Sequence, residues 1–170
     1  MYKAIEIAYW FLNYNFRKQK ELIAANEYFD VYDGLTHLKL QKLLYNAQGM
    51  SLAINDKPLF EEHLEAWEHG PVVDCVYNVF SVFGRREIII PNTREIDDMI
   101  WKIENDDETE DVLEKTDNKF IKYTAWELRE MSHLPNSPWS KTRRGGAIDN
   151  EVIKKYFKEE VLKDIEHEQE

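Results

Sequence analysis

Most of the chain carries its apolar residues at helical spacing, with a few short breaks to other patterns. Across residues 35–50, Leu40, Leu43, Leu44 and Ala47 fall on one helical face, and Thr36 stands where its hydroxyl can cap the N-terminus. This predicts a central core helix. Burying its three leucines contributes roughly 5–8 kcal/mol before ordering costs, at about 1.5–3 kcal/mol each, so other elements are expected to pack around it. A first helix over residues 2–17 is predicted from Ala4, Ile5, Ala8, Phe11, Leu12 and Phe16, with Ile7 and Trp10 widening the band. Residues 18–34 carry two signals: Leu22, Ile23, Ala24 and Ala25 can extend that helix, whereas Asp30-Val31-Tyr32-Asp33-Gly34 has turn chemistry.

Residues 60–67 read as a short extended segment or an irregular helical turn. Gly70-Pro71 then stops one element, and Pro71 is read as the first residue of a second helix carrying Val72, Val73, Val76, Tyr77, Phe80 and Phe83 and closed by Gly84. The β-branched run Arg86-Glu87-Ile88-Ile89-Ile90-Pro91 predicts a short strand, for which Leu59-Phe60 or the segment before Trp67 is the nearest partner. Asn92-Thr93 caps a helix over 94–104 with Ile96, Ile100 and Ile103 inside. Residues 104–111 hold six carboxylates in eight positions, which reads as a solvated loop or as an acidic surface for a basic partner. The glycine and alternating ligands of a calcium loop are missing.

Residues 112–123 are loosely helical. Thr124-Ala125-Trp126-Glu127 is a capping box for a short helix through Leu128 and Met131, ending at His133 before Leu134-Pro135-Asn136-Ser137-Pro138. Asp149-Asn150 starts a last helix with Val152, Ile153, Tyr156 and Phe157 inside, and residues 158–170 form an acidic tail expected to fray. The expected fold is mainly α, formally α+β. It is one compact helical domain over residues 1–170, built around the Leu-rich helix, with a small two- or three-stranded β element.

Composition narrows the function classes. A formal net charge of −11 opposes sequence-independent nucleic-acid binding, because neutralising phosphate supplies most of that affinity; only a local basic patch would serve. Cys75 is the single cysteine, which rules out an intrachain disulfide and a thiolate cluster and suits a reducing cytoplasm; it is expected to be a small buried residue. The apolar N-terminus is interrupted by Glu6 and lacks a cleavage site, and no run approaches the roughly 18 apolar residues of a membrane span.

Candidate chemistry is sparse. His63, Glu65 and His69, with His37 and His133 elsewhere, are competent zinc or iron ligands, but the HExxH arrangement is absent and Gly-Pro interrupts any simple helix after His69. No nucleophile elbow, phosphate loop or dinucleotide fingerprint occurs, so no catalytic, cofactor or metal residues are assigned. Lys141, Arg143 and Arg144, with Gly145-Gly146, have two readings. They are a solvated loop offsetting nearby acids, or a partner-binding site in which guanidiniums meet carboxylate or phosphate while the glycines let backbone approach. Trp67, Trp126 and Trp139 are expected in the core, with an interface role as the alternative.

The segments Leu38-Lys39-Leu40-Gln41-Lys42-Leu43-Leu44-Tyr45 and Ala47-Gln48-Gly49, followed by Ala66-Trp67, Gly70-Pro71-Val72-Val73 and Val76-Tyr77, resemble the Panacea domain, the family that includes SocA-type antitoxins and many phage-associated proteins. Met131-Ser132-His133, Ser137-Pro138-Trp139 and the closing helix at 148–157 extend the resemblance over about 36–157. The resemblance implies a helical domain that neutralises a cognate toxin by binding it. In SocA-like members it also implies an adaptor for proteolysis. It marks Leu40, Lys42, Leu43, Leu44, Tyr45, Trp67, Gly70, Pro71, Val72, His133 and Trp139 as structural motif residues. Two alternatives remain: a DNA-binding regulator, for which the central helix offers only Lys39 and Lys42, and a metal-dependent enzyme.

Overall fold

The computed structural model describes residues 1–27 and 34–163. Helix α1 (Ala4–Ala24) continues past Arg17 because Leu22, Ile23 and Ala24 keep helical spacing; Trp10 and Phe11 are fully buried, whereas Phe16 is exposed. The turn expected at 30–33 lies outside the described residues. Helix α2 (His37–Ile54) starts at Thr36, whose hydroxyl accepts from the Lys39 amide over 3.4 Å. Every residue from 40 to 53 is buried, so α2 is enclosed on all sides rather than amphipathic.

Strands β1 (Glu65–Trp67) and β2 (Gly70–Val72) form an antiparallel pair in which Trp67 faces Gly70 and Glu65 faces Val72. This corrects the reading of Pro71 as a helix opener. Gly70 takes φ 102°, a left-handed value that turns the chain back onto β1 instead of forward into a helix. Helix α3 (Asp74–Phe80) therefore begins after Val73 and runs into a tight turn at Ser81–Phe83, which ends at Gly84. Val76 and Phe80 are buried, and Cys75, expected inside, is exposed on the opposite face.

The run at 86–91 does not become a strand. Among the described residues its pairing is limited to a bridge between Thr36 and Glu87 and a bond from the Ile88 amide to the Leu35 carbonyl, and neither Leu59-Phe60 nor β1 reaches it. Helix α4 (Arg94–Glu104) buries Ile96, Ile100 and Ile103 as the spacing predicts.

The acidic stretch is likewise not a loop. Asp106 caps α5 (Asp107–Phe120), and Asp107, Glu108 and Glu110 sit in its first turn, where carboxylates complement the exposed amides and the helix dipole. Helix α6 (Ala125–Ser132) carries the capping box at Thr124 and Glu127, and α7 (Asn150–Tyr156) is capped by Asp149. Val152 is exposed, whereas Ile153 and Phe157 are buried. Residues 158–161 continue the helix as a π-turn, Phe157–Val161, and 164–170 lie outside the described residues.

Helices α5, α6, α7, α1 and α3 and strand β2 pack around α2, while α4 lies against α1 and α5. Seven α-helices and one two-stranded sheet among the described residues make the fold mainly α. Among these residues no helix is long and apolar enough to cross a membrane.

Candidate partner-binding surface

The hairpin β1–β2 is held from below by a lysine. Lys42 lies on the enclosed helix α2, is fully buried, and donates from Nζ to the Pro71 carbonyl over 2.8 Å. Burial, with a smaller contribution from the Arg129 charge, pulls its pKa down to about 7. A methyl group at Gly70 would meet both Lys42 Nζ and Ser132 Oγ at 2.7 Å, so glycine is needed there for space as well as for φ. Lys42, Gly70 and Ser132 thus converge beneath the hairpin turn.

The end of α6 grips the other side of that turn. Ser132 Oγ donates to the Arg129 carbonyl over 2.7 Å, and the His133 ring reaches the Arg129 carbonyl through Nδ1 at 2.7 Å and the Glu68 carbonyl through Nε2 at 3.2 Å. The His133 ring centroid lies 3.7 Å from that of Trp139. Trp139 in turn donates from Nε1 to the Trp67 carbonyl over 2.7 Å. Ser137, fully buried, donates to the Ser132 carbonyl and accepts from the Ser140 amide, which fixes the turn that presents Trp139. The motif residues Lys42, Gly70, Pro71, Ser132, His133 and Trp139 therefore form one clamp on the hairpin.

The basic loop is tied to the same hairpin. The Gly145 amide donates to the Ala66 carbonyl over 2.7 Å, the Ala66 amide donates to the Gly146 carbonyl over 2.9 Å, and Glu65 bridges Ala147. Gly145 takes φ 72°, a left-handed value that glycine adopts readily and that turns the loop onto β1. Lys141, Arg143 and Arg144 are exposed, and among the described residues none of them forms an ion pair. The Arg144 guanidinium lies 5.8 Å from the Trp139 ring centroid. Backbone pairing thus places the loop, with Arg144 beside Trp139, on a braced edge.

The three tryptophans divide. Trp139 packs against the core, half-buried. Trp67 is also half-buried but lies outside the main cluster; it donates to Glu65 over 2.8 Å and tilts against Tyr77 at 4.9 Å. Trp126 is exposed at 60%, with the Arg129 guanidinium 4.6 Å from its ring, which corrects its placement in the core. Leu40, Leu43 and Leu44 are fully buried, as are Val76 and, nearly so, Tyr45 and Val72.

Glu65 accepts from Trp67, His63 and His69 are exposed, and among the described residues no group of three or more His, Cys, Asp or Glu is placed to hold a metal ion. Helix α2 is not a recognition helix. Lys42 is buried in it, and Lys39 donates to the Ile121 carbonyl over 2.7 Å.

Two glutamines of the motif segments, given no role from the sequence, also fix backbone around α2. Gln41 accepts from the Val73 amide at 2.8 Å and donates to its carbonyl, pinning the end of the hairpin. Gln48, about two helical turns on, does the same for Leu59 and Phe60. Their spacing along a Leu-rich helix was the available signal.

Comparison with known proteins places the chain in a family of antitoxin-like domains. The family model described as "Antitoxin SocA-like, Panacea domain" matches residues 40–140, and the chain belongs to that family. The matched span is narrower than the resemblance at 36–157 and omits α7. Antitoxin SocA of Caulobacter vibrioides (strain NA1000 / CB15N) is 31% identical over 115 residues, which cover 65% of this chain and 61% of that relative. The chain thus matches less than two thirds of that relative's length. No solved structure matches.

Proposed function

We propose that this chain is a cytoplasmic antitoxin that neutralises a protein toxin by binding it directly, and that it delivers the toxin to a protease. The observation that carries the reading is membership of the SocA-like family over residues 40–140, the span that contains the hairpin clamp. The exposed Lys141, Arg143 and Arg144, with the Arg144 guanidinium near Trp139, support a binding role, because a guanidinium beside an aromatic ring is suited to recognise carboxylate groups on a partner. The net charge of −11 draws a partner of opposite overall charge towards the molecule, while the basic loop pairs with carboxylates locally.

Growth assays test this. Expressing the neighbouring open reading frame alone arrests growth, and co-expressing this chain restores it. A harmless neighbour contradicts the antitoxin reading. Toxin that disappears during rescue, but persists in a strain lacking the cell's ATP-dependent proteases, supports the adaptor step; toxin that persists in both strains removes it.

A further inference from the structure

Trp126 belongs neither to the core nor to the hairpin clamp; it stands on α6 and is 60% exposed, with the Arg129 guanidinium stacked 4.6 Å from its ring centroid. Trp126, Arg129 and His133 follow one another at i, i+3 and i+7, so they share one helical face, with the first and last about 10 Å apart along the axis. His133 packs on Trp139, and the Arg144 guanidinium reaches the Trp139 ring at 5.8 Å. One stripe of rings and guanidiniums thus runs from the start of α6 to the basic loop.

The charges along this stripe do not balance. Of the acids on α6, on the hairpin and in residues 140–149, Glu130 pairs with Arg129, Glu127 accepts from the Thr124 amide, Glu65 accepts from the Trp67 indole, and Asp149 accepts from the Glu151 and Val152 amides. Glu68 is the acid left over, exposed and, among the described residues, without an ion pair. Against it stand Lys141, Arg143 and Arg144, equally exposed and equally without an ion pair. Within a chain of net charge −11 this face carries a local surplus of cations.

That surplus selects the occupant. A guanidinium lying over an aromatic face keeps its in-plane N–H groups for a carboxylate, and an exposed indole adds apolar contact area that charge alone does not supply. A nucleic-acid backbone fits poorly, because the net charge of the chain opposes a polyanion and the free cations are few. A polypeptide that mixes carboxylates with an apolar side chain meets both ends of the stripe.

We infer that the stripe from Trp126 to Arg144 receives an acidic segment of the partner protein, which sets its carboxylates against Lys141, Arg143 and Arg144 and an apolar side chain on the Trp126 ring. Arg129, engaged by Glu130, holds that ring in place. The inference rests on the protein-binding reading above and extends the contact along α6.

The test measures the affinity of the protein encoded by the neighbouring frame for the full chain as wild type, Trp126→Ala, Arg144→Gln and Trp101→Ala. Trp101 is 65% exposed on α4, which lies against α1 and α5, and it serves as the control tryptophan off the stripe. Affinity is expected to fall about tenfold or more in Trp126→Ala and about threefold in Arg144→Gln, with unchanged melts, and to stay the same in Trp101→Ala. A complex that Trp126→Ala weakens no more than Trp101→Ala does overturns the stripe and leaves the antitoxin reading intact. Absence of any complex with wild type defeats the antitoxin reading and the inference with it. Single-stranded DNA of random sequence is then titrated onto wild type and Trp126→Ala. Binding that Trp126→Ala weakens overturns the polypeptide occupant, and absence of binding supports it.

Discussion

The indole of Trp139 donates to the main-chain carbonyl of Trp67 over 2.7 Å, joining positions 72 residues apart. This bond uses the side chain of one tryptophan and only the backbone of the other, so the two are not equivalent. Trp139→Ala removes the bond, the packing on His133 and part of the core contact, at a cost of about 2–4 kcal/mol, somewhat below the range for a fully buried aromatic. Trp67→Ala removes a half-buried ring and leaves the accepting carbonyl in place, costing about 1–2 kcal/mol. Urea melts rank the two variants, and a larger loss for Trp67→Ala would contradict this arrangement.

Gly70 and Gly145 both have positive φ, yet only Gly70 is crowded. Gly145→Ala meets nothing within 4 Å and costs only the left-handed backbone penalty, about 1–2 kcal/mol. Gly70→Ala adds a clash with Lys42 Nζ and Ser132 Oγ to its own penalty, for a total of about 2–4 kcal/mol. Equal destabilisation of the two variants would mean that the clamp beneath the hairpin is loose.

Lys42 makes stability depend on pH. Its folded pKa is about 7, below the ordinary lysine value of 10.5, so between these limits the unfolded chain binds more protons than the folded one. Stability therefore rises as pH increases from about 7 towards 10, and the destabilising effect of the buried charge is fully present below about 7. Tyr2 and Tyr14 act in the opposite sense at higher pH. Their folded pKa values are pushed up from 10.0 to about 12, mainly by burial, so their contribution is lost as pH rises through that range.

Lys42→Met should flatten the rise between about pH 7 and pH 9.5 by a few kcal/mol. The check is a series of urea midpoints for wild type and variant across that window. Parallel curves would show that Lys42 holds the same protonation state folded and unfolded.

What was legible in the sequence follows physical lines. Helices with a clear apolar face and a capping side chain, such as α4 after Thr93 and α6 after Thr124, appear where the pattern put them, because local chemistry decides them. Pro71 misled because proline suits both a helix start and an extended strand; tertiary support from Lys42 and Ser132 at Gly70 selected the strand. The isoleucines at 88–90 have strand propensity but no partner strand beyond Leu35 and Thr36 among the described residues. Helical spacing alone does not put a lysine inside, and the packing of neighbouring elements around α2 is what buries Lys42. Lys141, Arg143 and Arg144 were visible as a charge cluster, but their position against β1 depends on backbone pairing by Gly145 and Gly146, which carries no side-chain signal.

The central claim is direct neutralisation, and the binding of purified proteins tests it most directly. This chain and the product of the neighbouring frame are mixed and followed by size-exclusion chromatography and stopped-flow association at increasing salt. The account predicts a stable complex whose association slows as salt rises, and a large loss of affinity when Lys141, Arg143 and Arg144 are all changed to glutamate with the melt unchanged. Rescue of growth without any complex, at any salt concentration, would contradict it.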